Sequence, residues 1–228
     1  MNSPHSSQRL APPVKYISYK RDDVLAICYN IRMRKIITTT FITLDGVMQA
    51  PGAPEEGFAY GGWEMPFQSD EMMDSYMNEF MRSPFELLLG KSTYDMFASF
   101  WPSATTDLEA TVPFNSTKKY VVSHEPFEPS WHNSFCIAGD IVAQIKKLKE
   151  EDSPDLWVHG SPILIQTLLK HHLIDRMHLS IHPITLGKGN RLFAEGTQAE
   201  LFRLVDSKIS TTGIIFATYE PAGELKSS

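Results

Sequence analysis

Leu156-Trp157-Val158-His159-Gly160-Ser161-Pro162-Ile163-Leu164-Ile165-Gln166-Thr167-Leu168-Leu169 is the stretch on which the fold turns. Leu156 to Val158 is a short apolar run and reads as a buried strand. A tight turn of small residues follows. Pro162 then falls in the first turn of a helix, where a missing N–H costs nothing. Glycine at 160 lets the backbone come close to a ligand. The free N–H groups of the first helical turn, with the helix dipole, favour an anion there. One such junction is weak grounds for a site, because most strand–Gly–helix turns bind nothing. Its weight comes from two companions earlier in the chain.

Gly90-Lys91-Ser92-Thr93 follows the apolar run Phe85-Glu86-Leu87-Leu88-Leu89, and Ser123-His124 follows Lys119-Tyr120-Val121-Val122. In a parallel sheet these carboxyl ends lie on one edge, where open α/β sheets bind ligands. Lys91 supplies a charge there, and Ser92, Thr93, Ser123 and Ser161 supply hydroxyls. That set suits a dinucleotide with several phosphates.

The remaining pattern agrees with an α/β domain. Lys35 to Thr43, rich in Ile, Thr and Phe, is a strand, turned by Asp45-Gly46. Ala50 to Gly62 carries Pro51, Gly52, Pro54, Gly57, Gly61 and Gly62, and is a long loop of the kind that often serves function. Ser69-Asp70-Glu71 starts a helix whose stripe is Met72, Met73, Tyr76, Met77, Phe80 and Met81, a core-facing pattern. Thr106 to Phe114 predicts a short helix, Ser134 to Ile137 a strand, and Asp140 to Glu150 an amphipathic helix. Arg176 to His182 alternates, with Met177, Leu179 and Ile181 opposite His178, Ser180 and His182, and predicts a half-buried strand. Leu201 to Leu204 and Gly213 to Tyr219 predict a closing antiparallel pair. The expected sheet is mostly parallel, with antiparallel C-terminal edge strands and flanking helices. Residues 1–32, polar and Pro-rich at their start, read as a flexible extension, 33–221 as the folded domain and 222–228 as a tail.

Composition narrows the function. Hydrophobic residues make up 42% of the 228, enough for one sizeable core. The net charge is −6 with no basic stripe, which argues against nucleic acid. No apolar run approaches the roughly 18 residues that span a bilayer, so no membrane partner is expected. The two cysteines, Cys28 and Cys136, form no framework and point to a reducing, cytoplasmic compartment. Eight histidines fall at no metal-ligand spacing, and no metal is expected. Gly187-Lys188-Gly189 lacks the third glycine and the following helix of a Rossmann turn. Gly90-Lys91-Ser92 follows Phe85 where a P-loop needs glycine. A Gly-x-Ser-x-Gly elbow is missing, which weighs against a serine hydrolase. Asp45 is the carboxylate to watch, at the end of the first strand and facing the long loop, although a plain Asp-Gly turn needs no ligand.

In order along the chain stand Thr43-Leu44-Asp45-Gly46-Val47, Gly61-Gly62-Trp63, Leu88-Leu89-Gly90-Lys91-Ser92-Thr93-Tyr94, Lys119-Tyr120-Val121-Val122-Ser123, Leu156 to Ser161, Leu173-Ile174-Asp175 and Pro183 to Phe193. This ordered set resembles the dihydrofolate reductase-like family related to the reductase domain of bacterial riboflavin biosynthesis deaminase-reductases. The resemblance covers about Met33 to Pro221. It implies a dihydrofolate reductase-like fold, NADPH as cofactor, a small-molecule substrate and a homodimer. Gly90, Lys91, Ser92 and Thr93 would hold the cofactor phosphates, and Ser123 and His124 would lie near the adenosine 2′-phosphate. Gly160, Ser161, Pro162, Ile163 and Leu164 would cradle the pyrophosphate. Leu44, Asp45, Gly46, Val47 and Trp63 would line the nicotinamide and substrate cleft, with Asp45 as the candidate catalytic group. Three departures stand out. Ser161 replaces a second glycine, Arg176 replaces a Glu after the Asp, and Phe97 to Pro102 replaces a substrate-handling Asp and Pro. The resemblance leaves two expected substrates, a pyrimidine like the ribosylamino-uracil of riboflavin synthesis or a dihydrofolate-like pterin. A non-catalytic NADPH-binding protein is the alternative of a different class.

Overall fold

The computed structural model describes residues 33–52, 58–69, 83–105 and 108–225. The expected extension over 1–32 and the Met72–Met81 stripe lie outside these residues. Eight strands form one sheet: β1 Ile36–Thr43, β2 Phe85–Gly90, β3 Lys119–Val122, β4 Ser134–Ile137, β5 Asp155–Val158, β6 Arg176–His182, β7 Glu200–Ile209 and β8 Ile215–Glu224. Four α-helices are present among the described residues: α1 Lys91–Phe100, α2 Leu108–Ser116, α3 Ile141–Lys149 and α4 Pro162–Lys170. A 3-10 turn spans Met65–Phe67 and another Trp101–Ser103.

The strand order is β4-β3-β2-β5-β1-β6-β8-β7. The first six of these are mutually parallel, and β8 and β7 close the sheet antiparallel. Parallel strands need both faces covered, and their apolar content follows from that. Every residue of β2 is buried. On one face Ile36, Leu88, Leu156 and Val158 pack with Ile145 of α3 and with Leu164, Ile165 and Leu168 of α4. On the other face Ile37, Leu87, Leu89, Val121 and Trp157 pack with Tyr94 of α1 and Phe114 of α2.

Local chemistry starts and stops these elements. The side chain of Asp140 accepts from Ala143 N–H at 3.0 Å and caps α3, and Lys146, Lys147 and Lys149 in its last turn complement the dipole. Lys149 reaches Leu173 O at 3.1 Å and Asp175 Oδ2 at 2.5 Å, while Asp175 Oδ2 also accepts from Ile36 N–H at 2.7 Å. Asp175 thus ties α3 to the starts of β1 and β6.

Three strands depart from the sequence reading. β7 and β8 run to Ile209 and Glu224, well past Leu204 and Tyr219. β7 is an edge strand, so its polar residues Asp206, Ser207 and Lys208 sit in water and carry no core pattern. β6 is expected to be half-buried, yet His182 on its polar face is fully buried. Phe41, Trp63 and Phe67 surround that ring edge-on, with centroids 5.7, 5.1 and 5.7 Å away.

Lys119 opens β3 with no exposed surface. Its ammonium donates to Asn115 O, Thr117 O and His132 O at 3.1, 2.8 and 3.0 Å and lies over the Trp131 ring. It therefore satisfies carbonyls at the end of α2, although burial pulls its pKa down to about 8. Lys119→Met is expected to lower unfolding free energy by about 2–4 kcal/mol in urea titrations, since buried carbonyls lose their donor. An unchanged midpoint would contradict this role.

Candidate functional site

β2 and β5 are neighbours, but the helices that follow them go to opposite faces: α1 packs with Leu87 and Leu89, α4 with Val158 and Leu88. Adjacent strands that send their helices apart leave a crevice at their carboxyl ends, where open α/β sheets take ligands. Gly90 and Gly160 stand at that crevice. Gly90 N–H donates to Gly160 O at 3.3 Å. A Cβ on Gly90 would lie 2.3 Å from Ser161 Oγ and 3.0 Å from Ser161 Cβ. Gly90 has φ −73°, which any residue can adopt, so space and not conformation demands glycine there. Gly160 has φ +123°, and a Cβ there would stand 3.1 Å from Thr93 Oγ1. The Gly160–Ser161 peptide is cis.

A groove of about 400 Å³ opens beside this contact. Ser92, Ser161, Pro162, Ile163 and Gln166 form one wall, and Asn190, Arg191 and Glu195 belong to the other. The remaining expected cofactor residues spread from here. Thr93 and Leu164 are buried behind the wall. Lys91 turns along α1, bonded to both oxygens of Asp95 at 2.7 and 2.6 Å, with its ammonium 4.7 Å from the Phe127 ring centroid. Ser123 follows β3, one strand out from β2, and donates its N–H to Ile137 O at 3.0 Å; His124 beside it is exposed. These positions fit an extended nucleotide in their donor chemistry: hydroxyls, first-turn amides and a guanidinium on one edge.

On the other side of β5, the end of β1 builds a turn around Asp45. Its Oδ1 accepts from Thr43 Oγ1 at 2.6 Å and from Leu186 N–H at 3.2 Å, and its Oδ2 from Gly187 N–H at 2.8 Å. The Thr43 hydroxyl and these backbone donors, against a smaller cost of burial, hold its pKa down at about 2. Asp45 is thus an anion at neutral pH, fastened across the 43–47 turn to the loop after β6. Leu44 is exposed beside it, whereas Val47 is buried. Trp63 is also buried and donates Nε1–H to Gln49 O at 2.8 Å, so it braces the loop from behind.

The sequence assigns no role to four residues that carry this arrangement. Arg191 and Gln49 belong to the strap joining the two loops; only the run Pro183 to Phe193 hinted at it. His159 is neutral, its pKa lowered by burial to about 3, with its ring tilted against Phe97 and Phe114. Glu64 is 6% exposed, and its Oε2 has no hydrogen-bond partner among the described residues. Burial lifts its pKa to about 7, offset only in part by a hydrogen bond from Gln68. No group of three or more His, Cys, Asp or Glu side chains that could hold a metal occurs among the described residues.

Fold and crevice together define a dihydrofolate reductase-like α/β protein. The family model of the RibD C-terminal domain matches residues 34–216, and the chain belongs to this family, whose members are reductases. The chain is 27% identical to the uncharacterized protein YyaP of Bacillus subtilis (strain 168), covering 83% of this chain and 96% of that one. A pyrimidine reductase-like protein from Corynebacterium diphtheriae superposes with TM-score 0.60 at 13% identity, over 85% of this chain and 94% of that chain. Dihydrofolate reductase from Enterococcus faecalis, complexed with NADP(H), superposes with TM-score 0.55 at 11% identity, over 82% and 96%. Both structural likenesses show the fold. No helix among the described residues is long and apolar enough to cross a membrane.

Two outcomes follow from this geometry. Gly90→Ala is expected to cost about 1–3 kcal/mol through overpacking, and combining it with Ser161→Gly should recover most of that loss. Additive effects in the double-mutant cycle would rule out the contact. Glu64 keeps its proton in the folded chain to about pH 7 but loses it near 4.5 when unfolded. Its contribution is therefore fully present below pH 4.5 and is lost as pH rises through 7. Glu64→Gln should be stabilising relative to wild type at pH 8 compared with pH 5, by at most about 3 kcal/mol. Chemical denaturation at both pH values reads the difference.

Proposed function

We propose that this chain is an NADPH-dependent reductase of a pyrimidine- or pterin-like small molecule, resembling 5-amino-6-(5-phosphoribosylamino)uracil reductase of riboflavin biosynthesis. The observation that carries the reading is the crevice between β2 and β5, where two strand–helix junctions meet beside the 400 Å³ groove. A dinucleotide would lie in that crevice. Gly90 to Thr93 and Gly160 to Leu164 would supply first-turn amides and hydroxyls to its phosphates. Ser123 and His124, one strand further out, would face the adenosine end. The nicotinamide end would then lie toward β1, against Leu44, Asp45, Gly46 and Val47, with Trp63 bracing the loop behind them.

When bound, NADPH supplies the hydride for reduction of a polarised C=N or C=O. The protein's part is orientation and electrostatics. Asp45, kept ionised by Thr43 and the 186–187 amides, suits holding a donor group of the substrate or steadying the turn. We further propose a cytoplasmic homodimer. The exposed Leu201, Leu204, Val205 and Ile209 of β7 and Ile215 of β8 support pairing with a second copy.

NADPH should raise the melting temperature and quench tryptophan fluorescence. It should be oxidised when one member of a panel of ribosylamino-pyrimidines, pterins and folates is present. Binding without oxidation of any panel member would favour a non-catalytic NADPH-binding protein. Absence of any NADPH effect would defeat the reading. A monomer by light scattering would remove the dimer alone.

A further inference from the structure

We propose that Arg191 is the cationic contact for the diphosphate bridge of a dinucleotide lying in the groove between α4 and the 189–195 loop. This rests on the dinucleotide reading above and adds a residue to it.

The groove is walled on one side by the first turns of α1 and α4, through Ser92, Ser161, Pro162 and Ile163. Those turns offer amides and hydroxyls. Arg191 is the only cation among the described residues that line the groove, and it belongs to the loop after β6. Lys91 is engaged by Asp95, and Lys188 lies over the Tyr60 ring at 5.0 Å.

Arg191 is fixed at its backbone and partly exposed at its head. Its backbone bridges to Val47, and its carbonyl accepts from Gln166 Nε2 at 3.1 Å, which fastens it to α4 across the groove. Met48 N–H donates to Asn190 O at 2.9 Å, and Asn190 N–H donates to Gln49 Oε1 at 3.1 Å. The residue therefore cannot drift from the groove without breaking this strap. Among the described residues its guanidinium makes one loose contact, 3.5 Å to Asp45 Oδ2, and its side chain is 45% exposed.

Asp45 does not need that contact, because three donors already hold it. Glu195 is the other carboxylate on this wall and is exposed at the groove. A guanidinium on a fixed stem has a planar fork of donors that matches phosphate oxygens two at a time. Sharing the groove with two helical first turns, it would add a cationic donor to their amides and hydroxyls. On ligand binding the guanidinium would exchange its 3.5 Å partner for phosphate oxygens, while Asp45 keeps Thr43, Leu186 and Gly187.

The diphosphate is common to NADPH and NADH, whereas the 2′-phosphate is not. This difference makes the assignment testable. Dissociation constants of both dinucleotides are measured by tryptophan quenching for wild type, Arg191→Ala and Arg191→Lys. Arg191→Ala is expected to weaken both by about 10- to 100-fold, leaving their ratio unchanged. Arg191→Lys keeps the charge without the fork and should weaken both by less. Inorganic pyrophosphate should compete against NADPH in wild type and much less in Arg191→Ala. Unchanged affinities in both variants, or a loss confined to NADPH, would overturn the assignment while leaving the dinucleotide reading intact. Wild type binding neither dinucleotide would overturn both. Melting temperatures of the unliganded variants within a degree or so of wild type confirm that a lost affinity is not lost folding.

Discussion

The edge of the sheet where β2 and β5 end depends on there being no side chain at Gly90. β2 and β5 deliver their chains to the same edge and then part, one toward α1 and one toward α4. Their turns must pass each other before separating. Ser161 Oγ occupies the space where a Cβ of residue 90 would be, and Gly160 leaves room for Thr93 in return. The contact is reciprocal, so neither turn can move without the other. It sets how far apart the first turns of the two helices stand, and with that the width of the groove beside them.

A second constraint is electrostatic. Two carboxyl groups in the segment after β1 are driven in opposite directions. Asp45 sits among donors and is held as an anion, with Thr43 the largest influence. Glu64 is buried with one oxygen unpartnered among the described residues and is held toward its neutral form. Neither outcome follows from residue type, since both would titrate alike in water. Environment separates them, one by hydrogen bonding and one by desolvation.

Legibility in the sequence followed the range of the forces involved. β4 and β6 match their predicted bounds, and α3 begins where Asp140 can cap it. Those signals are local: apolar period, turn residues and caps. The insertion of β5 between β2 and β1 is not local, because no periodicity encodes which strands become neighbours. The burial of His182 was hidden for the same reason, since its cover comes from Phe41, Trp63 and Phe67. In the candidate site the glycine junctions were readable as turns. Their mutual contact was not, nor was Arg191 opposite them, because a lone Arg in a Gly-rich loop has the look of a solvated residue. The ends of β7 were missed because an edge strand needs no apolar alternation to keep its ladder.

The clasp made by Asp45 joins parts of the chain that are far apart in sequence. Its oxygens take the amides of Leu186 and Gly187, separations of 141 and 142 residues. Closing so long a loop is entropically unfavourable until most of the intervening sheet exists. During synthesis, a nascent chain that ends before Leu186 carries every glycine of the crevice and still lacks the far wall of its groove. The crevice edge of the sheet is therefore completed only after the chain has been made as far as Glu195, just ahead of the two strands that close the sheet.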